Sequence, residues 1–244
     1  YGFLWIGTEE GLNRYDGIVI KSYSICPQAA GKYISSLYGT KKNIWIGTDE
    51  GIYIYAYATE TFTYFDLTTP NNVRITSIVN HILQDKDGNL WFSTNGQGLF
   101  RYNLSKNYLE QYEFTSAFGI VASTMADSDN QIWALTNQGE SGVYKLNKAE
   151  NKFEPFGLLY NAGNHHSQAL AMLEDSEQTL WLGTWECGLQ KIDKYTRQTT
   201  TYLHPTDGKG VTHIHSLMEY APHQLLIGSD DGLLLFNTLT EEYK

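Results

Sequence analysis

Five of the six tryptophans in this 244-residue chain recur at nearly regular intervals, each inside a short hydrophobic segment that commonly ends in Gly-Thr or Ser-Thr. The anchor positions are Trp5, Trp45, Trp91, Trp133 and Trp181, with Leu226 at the corresponding place in a sixth copy. Successive anchors lie 40, 46, 42, 48 and 45 residues apart. Because a rare residue seldom recurs at a fixed period by chance, the spacing indicates a repeat architecture.

Each anchor segment is followed within ten residues by a glycine and then by a second short strand pattern. These glycines are Gly11, Gly51, Gly98, Gly142, Gly188 and Gly232. A tight hairpin needs a residue that tolerates a positive φ, which explains the glycine. With one strand pattern before the anchor and another about ten residues after the hairpin, a complete copy has four strands. Four short strands per repeat of this length are typical of a β-propeller blade.

We therefore expect an all-β protein, a β-propeller of four-stranded antiparallel blades with about six blades in this chain. The expected blades occupy residues 1–24, 32–66, 76–113, 118–157, 167–203 and 212–244, the first and last of them partial. Repeat one begins at Tyr1 inside its anchor strand, and repeat six stops at Lys244, where its outermost strand would start. The chain is thus expected to be a slice of a seven-bladed ring.

The composition and net charge of the chain argue against some classes of binding partner. The chain is 41% hydrophobic, enough for a sizeable core, and its net charge is −10. An acidic chain without a basic cluster is a poor candidate for binding nucleic acid or inserting into an anionic membrane. The two cysteines, Cys26 and Cys187, are far apart and form no CxxC pair, so no metal or redox motif is predicted, and their redox state stays open.

An acidic turn precedes several anchors, most completely at Asp85-Lys86-Asp87-Gly88-Asn89. Carboxylates at alternate positions are typical of calcium loops, but no bidentate glutamate follows at a suitable distance. The alternative is that these side chains cap the hairpin by accepting hydrogen bonds from its own backbone. We favour the capping interpretation and predict neither a metal nor a cofactor.

The segment from Gln84 to Thr94, continued from Gly98 to Asn103, resembles the two-component regulator propeller repeat. The pattern of that repeat is approximately Asp-x-x-Gly-x-Leu-Trp-Ile-Gly-Thr-x-x-Gly-Leu-x-x-Tyr-(Asp/Asn). The resemblance recurs six times and covers essentially the whole chain. The sixth copy departs from it by lacking the tryptophan, and the turn at Asp175 lacks the glycine.

The resemblance implies a periplasmic sensor region of a hybrid two-component histidine kinase, as in Bacteroides-type bacteria. Such sensors detect oligosaccharides released from glycans and regulate the genes for polysaccharide utilisation. The family further implies a homodimeric receptor, in which the remaining blades and downstream domains of the same chain complete the protein. Kinase activity would belong to those other parts, so this chain is expected not to be an enzyme.

The most plausible ligand-binding residues lie in the loops between the second and third strands, and in those leading into each first strand, because both sets gather on one face of a propeller. The candidates are Trp185, Arg74, His165, His166, Asn95, Asn137 and Glu186. The same loops carry further polar residues that are not singled out, among them Asp49, Glu50, Gln97, Asn164, Lys209, His213, Asp230 and Asp231. Trp185 is the one tryptophan outside the repeat. Its ring suits stacking on a sugar, while packing against a neighbouring blade is the alternative. The histidines and the arginine suit hydrogen bonds or an acidic sugar.

Two other functions remain open on a propeller scaffold. A glycoside hydrolase or lyase would need convergent acid and base groups, and Asp87 to Trp91 loosely resembles the structural turn of sialidases. Sialidase-type chemistry, however, needs an arginine cluster, and the expected ligand face offers only Arg74. A protein-interaction platform is the third hypothesis.

Overall fold

The computed structural model describes residues 2–25, 33–114, 119–136, 142–158, 168–202, 211 and 213–244. Within these residues the chain forms 22 β-strands in six antiparallel sheets, with no helix. The prediction of an all-β protein is confirmed. The chain divides into two compact units, residues 1–113 with sheets one to three and residues 114–244 with sheets four to six.

In the first unit, each strand pairs with its neighbour along the chain. Sheet one contains β1 (Leu4–Thr8), β2 (Gly11–Tyr15) and β3 (Ile20–Tyr23). Sheet two contains β4 (Ile34–Gly39), β5 (Asn43–Thr48), β6 (Gly51–Ala56) and β7 (Thr61–Tyr64). Sheet three contains β8 (Val79–Gln84), β9 (Leu90–Thr94), β10 (Leu99–Asn103) and β11 (Tyr108–Tyr112).

The second unit repeats this order. Sheet four contains β12 (Val121–Ala126), β13 (Ile132–Thr136), β14 (Gly142–Asn147) and β15 (Lys152–Leu158). Sheet five contains β16 (Ala169–Glu174), β17 (Leu180–Thr184), β18 (Leu189–Ile192) and β19 (Thr199–Tyr202). Sheet six contains β20 (Ile214–Ala221), β21 (Gln224–Ser229) and β22 (Gly232–Asn237), and the backbone of Lys244 then pairs with Leu235.

Within each unit the sheets stack face to face, with the first strand of one sheet against the first strand of the next. Strand β4 contacts β8 in the first unit, and β16 contacts both β12 and β20 in the second. Apolar side chains fill the space between consecutive sheets: Trp45, Phe92 and Phe100 between sheets two and three, and Trp181 and Phe236 between sheets five and six. Burial of these large aromatic surfaces is the main stabilising contribution to the stacking.

The anchor tryptophans lie in this core, and acidic turns orient three of them. Trp45, Trp91, Trp133 and Trp181 are at most 4% exposed, while Trp5 is half-buried. The indole N–H donates to a carboxylate oxygen of Asp85, Asp127 or Asp175 over 2.7–3.0 Å. The other carboxylate oxygen accepts a backbone N–H four residues on. The capping interpretation of these turns is therefore confirmed, because both oxygens bind groups of the protein.

The threonine or serine that ends each anchor segment closes the following hairpin. Thr48 Oγ1 donates to the Gly51 carbonyl over 3.0 Å and accepts the Glu50 N–H. The same donation recurs in all six copies, from Thr8, Thr48, Thr94, Thr136, Thr184 and Ser229. Gly51 has a φ of 113°, and a Cβ there would lie 2.6 Å from the Ile75 carbonyl oxygen. A side chain is thus excluded both by backbone conformation and by space.

A β-bulge interrupts the first strand of every sheet from two to six at the same place. In sheet six the register shifts between Ile214 and Ser216. The residues that the bulges leave without a direct partner in the ladder are Ser35, Asn80, Ala122, Leu170 and His215. Since a bulge redirects the side chain of its extra residue, the repeat presents one redirected side chain per sheet beside the loops.

Candidate ligand-binding site

Trp185 stands at the start of the hairpin loop that follows β17. Its backbone N–H donates to the Gln168 carbonyl over 2.9 Å, and the preceding Thr184 hydroxyl closes the loop on Gly188. The loop backbone is therefore fixed on both sides of the residue. The side chain nevertheless remains 40% exposed, which is unusual for so large an apolar ring.

A close approach between strands brings sheet six against this loop. A Cβ at Gly183 would lie 2.4 Å from Ile214 Cγ2 and 2.9 Å from the Ile214 carbonyl oxygen, so only glycine allows β20 to come this near. The His213 N–H then donates to the Trp185 carbonyl over 3.1 Å. The glycine of the anchor segment thus sets the distance between the two parts of the site.

Two histidines and an aspartate of sheet six complete a cluster with Trp185. His213 Nδ1 lies 2.5 Å from Asp230 Oδ2, and His215 Nε2 lies 2.6 Å from Asp230 Oδ1. The ring centroids of Trp185 and His213 are 3.8 Å apart with the planes inclined by 40°, and His215 lies edge-on to the indole at 6.2 Å. We call these four residues, Trp185, His213, His215 and Asp230, the Trp185 cluster.

The backbone positions both imidazoles in uncommon ways. His213 has a φ of 52°, in the left-handed region that non-glycine residues seldom occupy. His215 is the extra residue of the bulge in β20. Both features recur elsewhere in the described residues, so they explain how the two imidazoles are oriented and do not by themselves mark a functional site.

The electrostatics of the cluster follow from these hydrogen bonds. The bond from His215, and then that from His213, holds the pKa of Asp230 below its ordinary value, because each stabilises the ionised carboxylate. A carboxylate accepts hydrogen bonds and does not donate them, so in each histidine the ring nitrogen that faces Asp230 carries a proton.

The other candidate residues do not join this cluster. Arg74 forms an ion pair with Asp66 at 2.7 Å, and both side chains are exposed. Asn95 is exposed and its backbone N–H donates to the Ile78 carbonyl, while Glu186 is exposed next to Trp185. Arg74 and Asn95 belong to the first unit and Trp185 and Glu186 to the second. Asn137, His165 and His166 lie outside the described residues, as does Cys26, whereas Cys187 is buried.

The sequence alone did not identify His215, and it placed His213 and Asp230 only among the loop residues. A usable signal was present, since Asp230 lies four residues after the anchor position, as Trp185 does in the preceding repeat. Within the described ranges, no group of three or more histidine, cysteine, aspartate or glutamate side chains is arranged to hold a metal ion.

The repeat itself matches a known family. Residues 72–96 match a family model described as "Two component regulator propeller". The resemblance inferred from the recurring Asp-x-x-Gly-x-Leu-Trp pattern is confirmed.

Longer relatives share the whole length of the chain. It is 27% identical over 255 residues to histidine kinase P4 of Formosa agariphila, which covers 98% of this chain and 18% of that protein. A structure described as the extracellular domain of a hybrid two-component system of B. thetaiotaomicron superimposes with a TM-score of 0.82 at 23% identity, covering 100% of this chain and 31% of the other. The chain therefore spans about a fifth to a third of these relatives.

An enzyme has the same fold. Virginiamycin B lyase from Staphylococcus aureus, solved as an inactive H270A variant with quinupristin, superimposes with a TM-score of 0.67 at 15% identity and covers 100% of this chain. These likenesses show a β-propeller. In the part of the chain that the structure describes, no helix is long and apolar enough to cross a membrane.

Proposed function

We propose that this chain is the ligand-sensing propeller in the periplasmic region of a hybrid two-component sensor histidine kinase. The observation that carries the proposal is the alignment of 98% of the chain with a histidine kinase. The match of residues 72–96 to the two-component regulator propeller model supports it. The structural likeness to an extracellular domain of a hybrid two-component system supports the same location. Kinase activity then resides in other domains of the full-length protein.

We further propose that the ligand is an oligosaccharide derived from a glycan, and that binding regulates transcription of genes for polysaccharide use. The Trp185 cluster supports this, since it combines an exposed aromatic ring with hydrogen-bonding side chains, the usual composition of a sugar site. The net charge of −10 argues against nucleic acid as the ligand.

A non-catalytic sensor acts by differential binding. The ligand favours one of two arrangements of the receptor, a homodimer in this proposal, and the population shifts toward the arrangement that binds it more tightly. The remaining blades and the downstream domains of the same protein would relay that shift across the membrane to the kinase.

A lyase is the second candidate, because one observation favours it. Two imidazoles that share a carboxylate can serve as general acid and base, and a lyase has the same fold. The arrangement nevertheless differs from a linear relay, since one carboxylate binds both rings.

One experiment separates these functions. The full-length protein in lipid nanodiscs is incubated with ATP and a panel of purified glycan oligosaccharides. We expect one class of oligosaccharide to change the level of phosphorylated protein and to be recovered intact by chromatography. Fragmented oligosaccharide would favour the lyase, whereas unchanged phosphorylation across a panel of all major glycan classes would contradict the sensor.

A further inference from the structure

We propose that a cleft between sheets four and five binds the oxyanion group, a sulfate, phosphate or carboxylate, of a small ligand. The cleft has a volume of about 370 Å³. Its lining includes Lys145, Asn147, Lys148, Glu154 and Phe156 of sheet four and Arg197 of sheet five. We call it the Arg197 cleft. The inference goes beyond the proposed function, because it assigns a second site and not the oligosaccharide site.

The Arg197 cleft and the Trp185 cluster belong to opposite ends of sheet five. Trp185 precedes β18 in the chain, whereas Arg197 follows it in the hairpin between β18 and β19. Because a strand carries the chain from one end of an antiparallel sheet to the other, the two residues lie at different ends. A ligand in the cleft therefore leaves the Trp185 cluster accessible.

The hairpin that carries Arg197 is fixed by hydrogen bonds and by a buried ion pair. Asp193 Oδ1 accepts two backbone N–H groups of the turn, over 2.7 and 2.8 Å, and the Arg197 N–H donates to the Asp193 carbonyl over 3.0 Å. Lys194 of the same hairpin pairs with Glu174, and both side chains are at most 10% exposed. The backbone at Arg197 is thus held in place before a ligand arrives, which lowers the conformational cost of binding.

Two of the cations share one aromatic ring. Phe156 is the extra residue of a β-bulge in β15, and its ring packs edge-on against Trp133 with the centroids 4.8 Å apart. Lys145 Nζ lies 5.9 Å and Arg197 Cζ lies 5.1 Å from the centre of the Phe156 ring. Contact with the face of an aromatic ring stabilises a cation without neutralising it, so both charges remain available to an anion.

The lining of the cleft is positively charged although the chain as a whole carries −10. Lys145, Lys148 and Arg197 contribute three cations, and Glu154 is the one carboxylate among the described lining residues. Glu154 Oε1 accepts a hydrogen bond from the Asn147 amide over 3.0 Å. Within the described ranges, the side chains of the three cations make no hydrogen bond or ion pair. Their charges are therefore not compensated by this part of the chain.

Sheet three shows the same repeat positions with the charge compensated. Arg101 lies directly opposite Glu110 in the ladder and donates to its carboxylate over 2.5 Å. Lys145 lies opposite Glu154 in sheet four, but these two described side chains form no ion pair. Glu154 instead lies 3.9 Å from Lys152. The position that holds an internal ion pair in sheet three thus supplies an available cation in sheet four.

An oxyanion is the ligand that this lining fits. The guanidinium of Arg197 can donate to two oxygens of a carboxylate, sulfate or phosphate, and each lysine adds a point charge. The volume is at the lower end of the range for small-molecule sites, so the group is carried by a molecule no larger than one or two sugar rings or is a free ion.

The test is calorimetric titration of the full-length protein in nanodiscs. The probes are inorganic sulfate, inorganic phosphate, glucuronic acid, glucose 6-sulfate and glucose. We expect at least one anionic probe to bind about tenfold more tightly than glucose, because it gains charge-assisted hydrogen bonds. Tighter binding of glucose 6-sulfate than of sulfate would identify a group carried on a sugar, whereas equal binding would identify a free ion.

Variants locate the anion. Arg197→Gln and Lys148→Gln should each weaken binding of the tightest anionic probe about tenfold, since each removes a cationic donor. Glu154→Gln should tighten the same binding, because it removes the carboxylate of the lining. Lys191→Gln is the matched control. Lys191 lies opposite the anchor tryptophan of sheet five, as Lys145 does in sheet four, and it is not part of the lining.

Circular dichroism of each variant establishes that it is folded. Unchanged affinity in both Arg197→Gln and Lys148→Gln would overturn the assignment of the site. An equal loss in Lys191→Gln would also overturn it, since the effect would then follow net charge and not the cleft. Absence of binding by every anionic probe would overturn the inference and leave the proposed sensing of oligosaccharides in place, because that function is measured by phosphorylation.

Discussion

The junction between sheets two and three and the junction between sheets five and six share one backbone plan but differ in their chemistry. Four repeat positions correspond: Asp49, Ile78, Asn80 and Asn95 at the first junction, and Trp185, His213, His215 and Asp230 at the second. At both, the anchor-segment glycine leaves no room for a Cβ beside the incoming strand. The scaffold is therefore constant while the side chains at the loops vary.

At the first junction, side chains make hydrogen bonds to the backbone N–H and carbonyl groups of the neighbouring loop. Gln97 Oε1 accepts the N–H groups of Thr76 and Ser77, and its amide donates to the Arg74 carbonyl, all within 3.0 Å. The Tyr64 hydroxyl lies within donating distance of two carbonyl oxygens, that of Glu50 at 3.1 Å and that of Ile75 at 3.3 Å. In sheet six the hairpin from Ser229 to Gly232 is one residue shorter than the hairpin from Thr94 to Gly98, and it has no glutamine at the place of Gln97. Equivalent loops therefore carry side chains with different roles: at the first junction they hydrogen-bond to the backbone, and at the second they form the Trp185 cluster.

The largest expected effect comes from the core tryptophans, and it compares how much each one contributes to the free energy of unfolding at its junction. Trp45→Ala and Trp181→Ala should each lower the free energy of unfolding by about 3–5 kcal/mol, because each leaves a large cavity between sheets. Trp181→Phe should lower the free energy of unfolding more than Trp45→Phe, because the Trp181 indole donates a hydrogen bond to Asp175, whereas among the described residues no aspartate accepts one from the Trp45 indole. Chemical denaturation followed by circular dichroism measures all four. Equal costs for the two phenylalanine variants would contradict the role of Asp175.

A smaller effect should come from breaking the close approach at each junction. Gly47→Ala places a Cβ 2.9 Å from the Val79 carbonyl oxygen, and Gly183→Ala creates the same conflict with Ile214. Each variant should be destabilised by about 1–3 kcal/mol through overpacking. Only Gly183→Ala should also change the Trp185 fluorescence quantum yield, because it moves His213 away from the indole. Gly88→Ala, where no atom lies within 4 Å of the added Cβ but φ is 82°, controls for backbone strain alone.

A third test concerns the hydrogen bonds that the Gln97 side chain makes at the first junction. Gln97→Ala should lower the free energy of unfolding by about 1 kcal/mol, since it removes the partners of three backbone groups that solvent can reach. Hydrogen exchange at Thr76 and Ser77 should accelerate in this variant. Exchange at His213 should be unaffected, and a change there would show that the junctions are coupled.

The smallest effect depends on pH at the second junction. The pKa of Asp230 is lowered by His215 and His213, so its ionised form adds stability above the ordinary aspartate value, and this contribution is lost as the pH falls through the lowered value. The difference in melting temperature between wild type and Asp230→Asn should therefore shrink below about pH 4. Asn95→Ala supplies the comparison at the first junction, where the corresponding residue cannot titrate. A difference that stays constant from neutral to acid pH would contradict the account.

The repeat made the fold predictable, and the site only in part. Trp91 and Gly98 define a strand, a hairpin and the next strand from a single copy, so the sheets follow from local sequence. Trp185 stood out because it breaks the repeat. The partners of Trp185 did not, because they belong to the next sheet and their position depends on the register of β20 and on its bulge at His215. Strict alternation along that strand would assign the histidine to the wrong face.

The bulges also bear on how such a scaffold changes during evolution. The extra residue of each bulge has no partner in the strand ladder. In sheets two to six this residue is serine, asparagine, alanine, leucine and histidine in turn. Exchanging it changes a side chain beside the loops without removing a pair from the ladder, although Ser35 and His215 also make side-chain hydrogen bonds. Each of sheets two to six thus holds one position at which the side chains beside the loops can diverge while the pairing of the strands is kept.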